Sequence, residues 1–529
     1  MKPRSPSRAE ASKRTAMFTT IISFARLTRA VFTLARHDAI LPSEYQTLYP
    51  APVRLFGQFM RIFARRDNAD NPGERLARAL ERLGPSYVKF GQVLATRGDV
   101  IGERFARGLS RLQDKMPAFG DDEARSIIEA ELGEDINALF SDFGPAIAAA
   151  SIAQVHRAIT PDGDVIAVKV LRPNIEQRIE RDIRSLQLGA DLAERFSKAS
   201  RRLEPRKFVE TVARSLTFET DLRLEAASAS ELGEAAGVAE HYHIPEVDWA
   251  RSSKRVLSTQ WVDGIALTDL GAVDALGIDR KQLATTLTRA FLTTALERGV
   301  FHADMHAGNL FTTDRGALWA VDFGIMGRIG RAERRFLAMI LHGFITRNYK
   351  GAAEAHFAAG YVPAGHSIDD FSSALRAVGE PIFGKAADEV SMSRVLLQLF
   401  EITGLFDMRL RPELVMLQKT MVQCEGVARA LDPQHDMWAA AEPVVEAWMK
   451  RELGPEGQIR DLGEDLKRLH EAARKLPDAI DDWAEIGAKL KTGELKLGGK
   501  PVIRPWALRL AWLAGAAGIG AASIALLFL

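Results

Sequence analysis

"FHADMHAGNLFTTDRGALWAVDFG", residues 301–324, decides how this chain is read. Two histidines and an aspartate alternate at His302, Asp304 and His306. On an extended loop alternate residues share a face, and two imidazoles with a carboxylate form a zinc donor set. The same stretch places Asn309 five residues after Asp304, and "DFG" begins at Asp322, thirteen after Asn309. That spacing belongs to phosphoryl transfer, where one aspartate orients or deprotonates the attacking group and an asparagine and a second aspartate hold Mg²⁺. "LFTTDRGALWAVDFG" reads as a hairpin turning at Asp314–Gly316, which would return Asp322 to the side of Asn309. Mg²⁺ takes oxygen donors and keeps several waters, so one Asp, one Asn and phosphate oxygens suffice. His302 is then a packed histidine supporting the loop, and His306 has no assigned role.

A second motif weighs against zinc. Lys169 lies in "VIAVKVLR" with Val168 and Val170 on either side, so in a strand the lysine points away from both. A lysine ending in a cleft clamps ATP phosphates. The zinc reading leaves Lys169, Asn309 and "DFG" unexplained. An acidic partner for Lys169 is expected from a helix over 206–235, where "FETDLRLEAASAS" offers Glu219, Asp221 and Glu225. On one helix Glu219 and Glu225 point about 240° apart, while Asp221 and Glu225 share a face. The choice stays open. Where a phosphate-covering glycine loop is expected, the chain has "AAASIAQVH" (148–156). Alanine enters positive φ less freely, and its methyl keeps backbone NH groups further from phosphate.

The 529 residues are too many for one compact domain and suggest lobes with appendages. With 70 Lys and Arg against 69 Asp and Glu, the net charge of +1 gives no global field for nucleic acid. The single Cys424 excludes an internal disulfide framework and any cysteine-built metal centre. Residues 40–140 read as helical, with breaks at Pro50, Pro72 and Pro85. Two β-prone runs, "AIAAASIAQVHRAIT" and "DVIAVKVLR", join at "PDGD". "HIPEVDW" and "KRVLSTQWVDG" read as two more strands, with one long helix between the two pairs. From about 265 the chain is overwhelmingly helical. The expected fold is α+β, a protein-kinase-like two-lobed arrangement.

Both ends stand out. Residues 1–36 hold eight Lys or Arg against the one acid Glu10, and Phe18, Ile21, Ile22, Ala25 and Phe32 can share a helix face. A membrane-surface helix, a transit peptide and a solvated tail all fit. Residues 510–529, "LAWLAGAAGIGAASIALLFL", carry no charge. Twenty helical residues span roughly 30 Å, a bilayer's hydrocarbon core. Arg504 and Arg509 precede the run and place the body on the cytoplasmic side.

"LGPSYVKFGQVLATRGDV" (83–100), with its K-x-G-Q element Lys89, Phe90, Gly91 and Gln92, resembles the signature of the UbiB family of atypical kinase-like proteins, the aarF-domain or ADCK-like group. "LQDKMP" (112–117), the alanine loop, "ETDLRLEAAS" (219–228), "FHADMHAGNL" and "VDFGIMGRIG" follow in the family's order. The resemblance covers roughly residues 80–430. It implies a membrane-anchored, ATP- and Mg²⁺-dependent kinase-like ATPase, or a small-molecule kinase, needed for ubiquinone biosynthesis. The expected organisation is a basic segment 1–40, a helical extension 41–144 with K-x-G-Q, an N-lobe 145–263 and a C-lobe 264–430. C-terminal helices 431–504 and a transmembrane anchor 505–529 follow.

Asp304 is the expected catalytic residue, and Asn309 and Asp322 the expected Mg²⁺ ligands. Lys169, Ala148, Ala149, Ala150, Ser151, Glu219, Glu225, Gln260 and Val262 are the expected nucleotide-binding residues. Lys89, Gly91 and Gln92 are expected to regulate access, over the place where a peptide would dock. The implied partners are a membrane lipid or polyprenyl-quinone precursor and other ubiquinone-biosynthesis proteins, with no nucleic acid. The implied location is the cytoplasmic face of an inner membrane, held by a single-pass anchor. An inactive nucleotide-binding scaffold is the alternative, and a protein kinase comes third. The chain departs from the family's usual "HADPHPGN" at Met305 and Ala307, and Ser228 stands where asparagine is common.

Overall fold

The computed structural model describes residues 8–39, 71–95, 101, 103–109, 112, 116–196, 201, 204–382, 398–399, 401–402, 404–408 and 412–454. Residues 1–449 form one compact unit. The apolar run 510–529 lies outside the described residues. Among the described residues no helix is long and apolar enough to cross a membrane.

Among the described residues six helices open the chain: α1 (Arg8–Arg36), α2 (Pro72–Leu83), α3 (Pro85–Ala95), α4 (Glu103–Leu109), α5 (Asp121–Leu132) and the short α6 (Ile136–Leu139). The breaks at Pro72 and Pro85 are helix starts, where a missing N–H costs nothing, and α2 ends at Leu83 before α3 begins at Pro85. Asn71 caps α2 by accepting from Gly73 N at 2.9 Å. On α1 the described members of the apolar face, Ile22, Ala25 and Phe32, are exposed. Ser23, Ala30 and Ala35 are buried, whereas Ile22, Phe24 and Phe32 remain exposed. Arg26 reaches Asp182 at 2.6 Å.

Three antiparallel strands follow, β1 (Asp142–Ala149), β2 (Ala153–Ile159) and β3 (Val165–Leu171). "AIAAASIAQVHRAIT" is therefore not one strand; it turns through Ala150–Ile152. Small residues suit a tight reversal as well as a strand, so periodicity could not separate them. Ile166, Val168 and Val170 bury one face of β3 against Ile127, Ile128 and Phe143. Leu171 faces the other way, into a cluster with Leu222, Ala226 and Leu257. Lys169 shares that second face by the period of two.

Between β3 and β5 (Val256–Gln260) the described residues form three helices, not one: α7 (Ile175–Phe196), α8 (Pro205–Glu219) and α9 (Leu222–Ala236), then the two-residue β4 (Tyr242–His243). The first sheet runs β1-β2-β3-β5. Residues 206–235 break at Thr220–Asp221 because Asp221 caps α9, accepting from Arg223 N at 3.2 Å.

The helical part holds β6 (Ile265–Ala266), α10 (Leu270–Ala275), α11 (Arg280–Thr293), β7 (Val300–His302), β8 (Leu310–Thr312), β9 (Leu318–Ala320) and β10 (Met326–Arg328). Helices α12 (Arg331–Ile345), α13 (Tyr349–Ala358), α14 (Ile368–Gly379), α15 (Pro412–Leu431) and α16 (Met437–Leu453) complete it. β8 and β9 form the hairpin expected around Asp314–Gly316, with Leu310 opposite Ala320. β7 pairs with β10, with His302 opposite Met326. One core joins α11, β7, the 303–305 segment and α15 through Phe291, Phe301, Met305 and Met421. That core seats the loop carrying Asp304.

Candidate phosphate-handling site

β3 delivers Lys169 to the cleft, and α9 delivers its partner. Lys169 Nζ donates to Glu225 Oε1 at 2.6 Å and lies 3.5 Å from Asp322 Oδ1. Burial alone would lower the lysine's pKa, but Asp322 and Glu225 outweigh it and hold the ammonium well above its ordinary value. Lys169 in turn holds Asp322 below the usual carboxylate range, against desolvation. Burial raises Glu225, with Lys169 opposing. The arrangement keeps a cation and two carboxylates facing each other in the cleft.

The helix break decides which acid serves Lys169. Glu219 ends α8 and pairs with Lys89 of the K-x-G-Q helix α3 instead. Asp221 caps α9 and is forked by Arg223 at 2.8 and 2.6 Å. Residues 206–235 are two helices, so the break and not a single helical turn sets the directions of Glu219 and Glu225. Gly91 is buried, and a Cβ there would meet Leu112 and Leu80 at 2.5 and 2.6 Å, so its role is close packing. Gln92 is half-buried beside it.

The loop at 302–309 is built from local hydrogen bonds. His302 is buried, its Nε2–H donating to Val321 O at 3.1 Å and its Nδ1 accepting from Asp304 N at 3.1 Å. Burial holds its pKa low, against the Val321 carbonyl, so the ring is neutral. Both nitrogens are used, and His302 has no donor left for zinc. His306 Nδ1 accepts from Gly308 N at 3.1 Å, while its Nε2 lies 3.8 Å from Asp304 Oδ2. Among the described residues no group of three or more His, Cys, Asp or Glu is arranged as a metal cage. An oxygen site for Mg²⁺ needs no such cage.

Asn309 Nδ2 donates to Asp304 O at 3.2 Å, which leaves the amide oxygen as the end presented to a cation. Val321 N donates to Asn309 O at 2.9 Å and brings Asp322 alongside. Asp322 sits at φ +64°, a left-handed conformation unusual for any residue but glycine. Strain of this kind costs about 1–3 kcal/mol and gathers at functional sites. The Asp322 side chain is half-exposed beside the buried Asn309, so the donor set Asp322–Asn309 is open on the Asp322 side to a phosphate-bound Mg²⁺ and fits it.

Ala148 and Ala149 end β1, and Ala150 and Ser151 make the turn. A strap lies against this turn: Met116 N donates to Ala149 O at 3.2 Å. Arg172 Nε donates to Ala150 O at 2.9 Å and its Nη2 to Pro117 O at 2.8 Å. Gln260 ends β5 with an exposed side chain, and Val262 is half-buried just beyond it. One contact had no sequence signal. Gln423, on α15, donates from Nε2 to Asp304 Oδ1 at 2.9 Å across 119 residues.

Lysine–glutamate pair, catalytic loop and "DFG" aspartate on a small sheet against a helical lobe define a kinase-like phosphate-handling protein. Comparisons narrow the class. Residues 111–356 match the ABC1 atypical kinase-like domain and residues 375–436 the UbiB helical domain. A protein of Marinobacter nauticus described as "Probable protein kinase UbiB" is 37% identical over 85% of this chain and 83% of its own. One of Aeromonas hydrophila with the same description is 38% identical over 86% of this chain and 85% of its own. The chain belongs to the UbiB family of atypical kinase-like proteins. Rv3197 of Mycobacterium tuberculosis, solved with erythromycin, shares the fold at a TM-score of 0.50 and 22% identity, over 74% of this chain and 98% of its own.

Proposed function

We propose that the protein is a membrane-associated, Mg²⁺- and ATP-dependent phosphoryl-transfer enzyme acting in ubiquinone biosynthesis. It is an ATPase when water is the acceptor and a small-molecule kinase when a lipid or quinone-precursor alcohol is. The observation that carries this reading is the convergence on one cleft of Lys169, Glu225, Asp322, Asn309 and Asp304 from four separate segments. Bound Mg²⁺ would neutralise developing charge on the transferred phosphoryl group, held by Asn309 and Asp322. Lys169 binds the phosphates and Glu225 fixes the lysine. Asp304 orients the acceptor and takes its proton on Oδ2. The alanine turn at 148–151 grips the nucleotide less closely than a glycine loop would.

Transfer to a docked peptide is disfavoured. α12 begins at Arg331, nine positions after Asp322, which leaves little chain for a peptide-positioning segment. Lys89 and Glu219 also tie the K-x-G-Q helix to α8 beside the cleft. Membrane association is supported by the uncharged run 510–529 as a single-pass anchor and by Ile22, Phe24 and Phe32 exposed on α1. The cytoplasmic face of an inner membrane, and quinone precursors and fellow biosynthetic proteins as partners, complete the reading.

The test is ATP hydrolysis by the full chain, with and without anionic phospholipid vesicles and quinone-precursor phenols. Vesicle-stimulated turnover that is lost in Asp322→Asn is expected. No turnover under any of these conditions, with Asp322→Asn behaving as wild type in cells, refutes the catalytic reading. A scaffold would tolerate Asp304→Asn and fail with Lys169→Ala.

A further inference from the structure

A carboxylate's terminal torsion is broad, so Asp304 does not aim itself. Asn309 holds the loop only through the Asp304 backbone carbonyl, and His306 lies beyond hydrogen-bond range of the side chain at 3.8 Å. Among the described residues the one direct hydrogen bond to the carboxylate comes from Gln423 Nε2, at 2.9 Å to Oδ1. An ionised carboxylate only accepts, so the amide nitrogen must be the end that faces it. Gln423 Oε1 is buried and makes no hydrogen bond among the described residues. The side chain accepts that cost while donating to Asp304.

The same turn of α15 holds the loop a second time. Thr420 Oγ1 lies 3.3 Å from Ala303 O, one residue before Asp304, and shares its one proton between that carbonyl and Met416 O of its own helix at 2.9 Å. Met421 and Cys424 on this turn are buried in the core that also contains Ala303 and Met305. The turn is therefore fixed, and Gln423 projects from it to a set place. With Oδ1 occupied, Oδ2 is the oxygen that remains for an acceptor.

We infer that Gln423 is a positioning residue. From the UbiB helical domain it locks the Asp304 carboxylate so that Oδ2 meets the phosphoryl acceptor. The inference rests on the reading of Asp304 as the group that orients the acceptor. It makes the C-terminal helical segment a working part of the site and not only a cover.

The experiment uses the full chain on anionic phospholipid vesicles. Gln423→Met keeps the shape and removes the donor, and Gln423→His keeps a donor near Nε2. The Met variant is expected to lose about 10–100-fold in kcat, since small misplacements of reacting groups cost this much. KM for ATP and ADP affinity should stay within about twofold, as the variant touches no phosphate ligand, and the His variant should recover a part of kcat. Equal kcat in wild type and Gln423→Met, with Asp304→Ala inactive, overturns the inference. So does loss of ADP affinity along with kcat, which would mark a merely structural role.

A readout without turnover separates the two readings. Melting temperatures of Gln423→Met, Asp304→Ala and the double variant form a cycle. If the residues are coupled, Gln423→Met lowers the melting temperature with Asp304 present and has little effect in the Asp304→Ala background. Additive shifts refute the contact even in a protein that hydrolyses no ATP. Coupled shifts without turnover keep the contact and refute the ATPase reading.

Discussion

Two lysine–glutamate pairs flank one break in the chain, and they serve different parts of the molecule. Lys89 on α3 pairs with Glu219, the last residue of α8. Lys169 on β3 pairs with Glu225 in the first turn of α9. The second pair continues to Asp322 and so to the candidate metal ligands. The first continues to Ser215, whose hydroxyl donates to Glu219 at 3.3 Å. Six residues separate the two glutamates, yet the break at Thr220–Asp221 assigns one to the phosphate cleft and the other to the K-x-G-Q helix. A local cap thus sorts two chemically equal acids.

Substitution should expose the difference. The largest effect is expected from Lys169→Ala: about 10²–10³-fold in kcat/KM for ATP, the scale for losing one preorganised charge contact. Turnover within tenfold of wild type would remove Lys169 from the phosphate site. Breaking the cleft pair from the other side, Glu225→Gln should weaken nucleotide affinity about tenfold, because Lys169 loses its orienting partner. For Glu219→Gln the expected signature is reversed. Nucleotide affinity stays within about threefold, while the melting temperature drops by the equivalent of about 1–3 kcal/mol as the half-buried Lys89 loses this carboxylate. If Glu219→Gln and Glu225→Gln changed ADP affinity equally, the sorting by the break would be wrong.

Two smaller effects probe the frame around the cleft. A Cβ on Gly327 in β10 would lie 2.0 Å from the Phe301 ring of β7, so Gly327→Ala should cost about 1–2 kcal/mol by overpacking behind the Asp304 loop. Denaturant unfolding measures it, and an unchanged midpoint would show that the ring yields freely. His156, His302 and His356 are each held below the ordinary histidine value, first by burial. The unfolded chain binds protons that these rings refuse. Their contribution is therefore complete above about pH 6.5 and falls as pH drops toward their folded values, by at most about 1.4 kcal/mol per ring per pH unit. Unfolding curves between pH 7.5 and 5 should show this slope, and it should lessen in His356→Gln, which lies away from the cleft.

Much of the site was legible because it depends on spacing and periodicity. Lys169 is turned to the cleft by the alternation of β3, and the hairpin of β8 and β9 returns Asp322 to Asn309, as their turn residues indicated. The strand content of the alanine-rich run and the number of helices before β5 were not legible. Alanine suits helix, strand and turn alike, and a cap such as Asp221 looks like any surface acid until its hydrogen bond is seen. His302 had the residue type of a metal ligand. The spacing of Asp304, Asn309 and "DFG" favoured a packed, loop-supporting histidine instead, and its burial with both nitrogens engaged agrees.

The amino-acid sequence by itself determined the family and the order of lysine, catalytic loop and "DFG". These are short-range patterns, and the chemistry of phosphate and Mg²⁺ restricts which residues can form them. Only the tertiary structure decided the partners: Glu225 for Lys169, Glu219 for Lys89 and Gln423 for Asp304. Those contacts join segments 56, 130 and 119 residues apart. No local preference of the chain records them, because packing of the helices fixes which side chains meet.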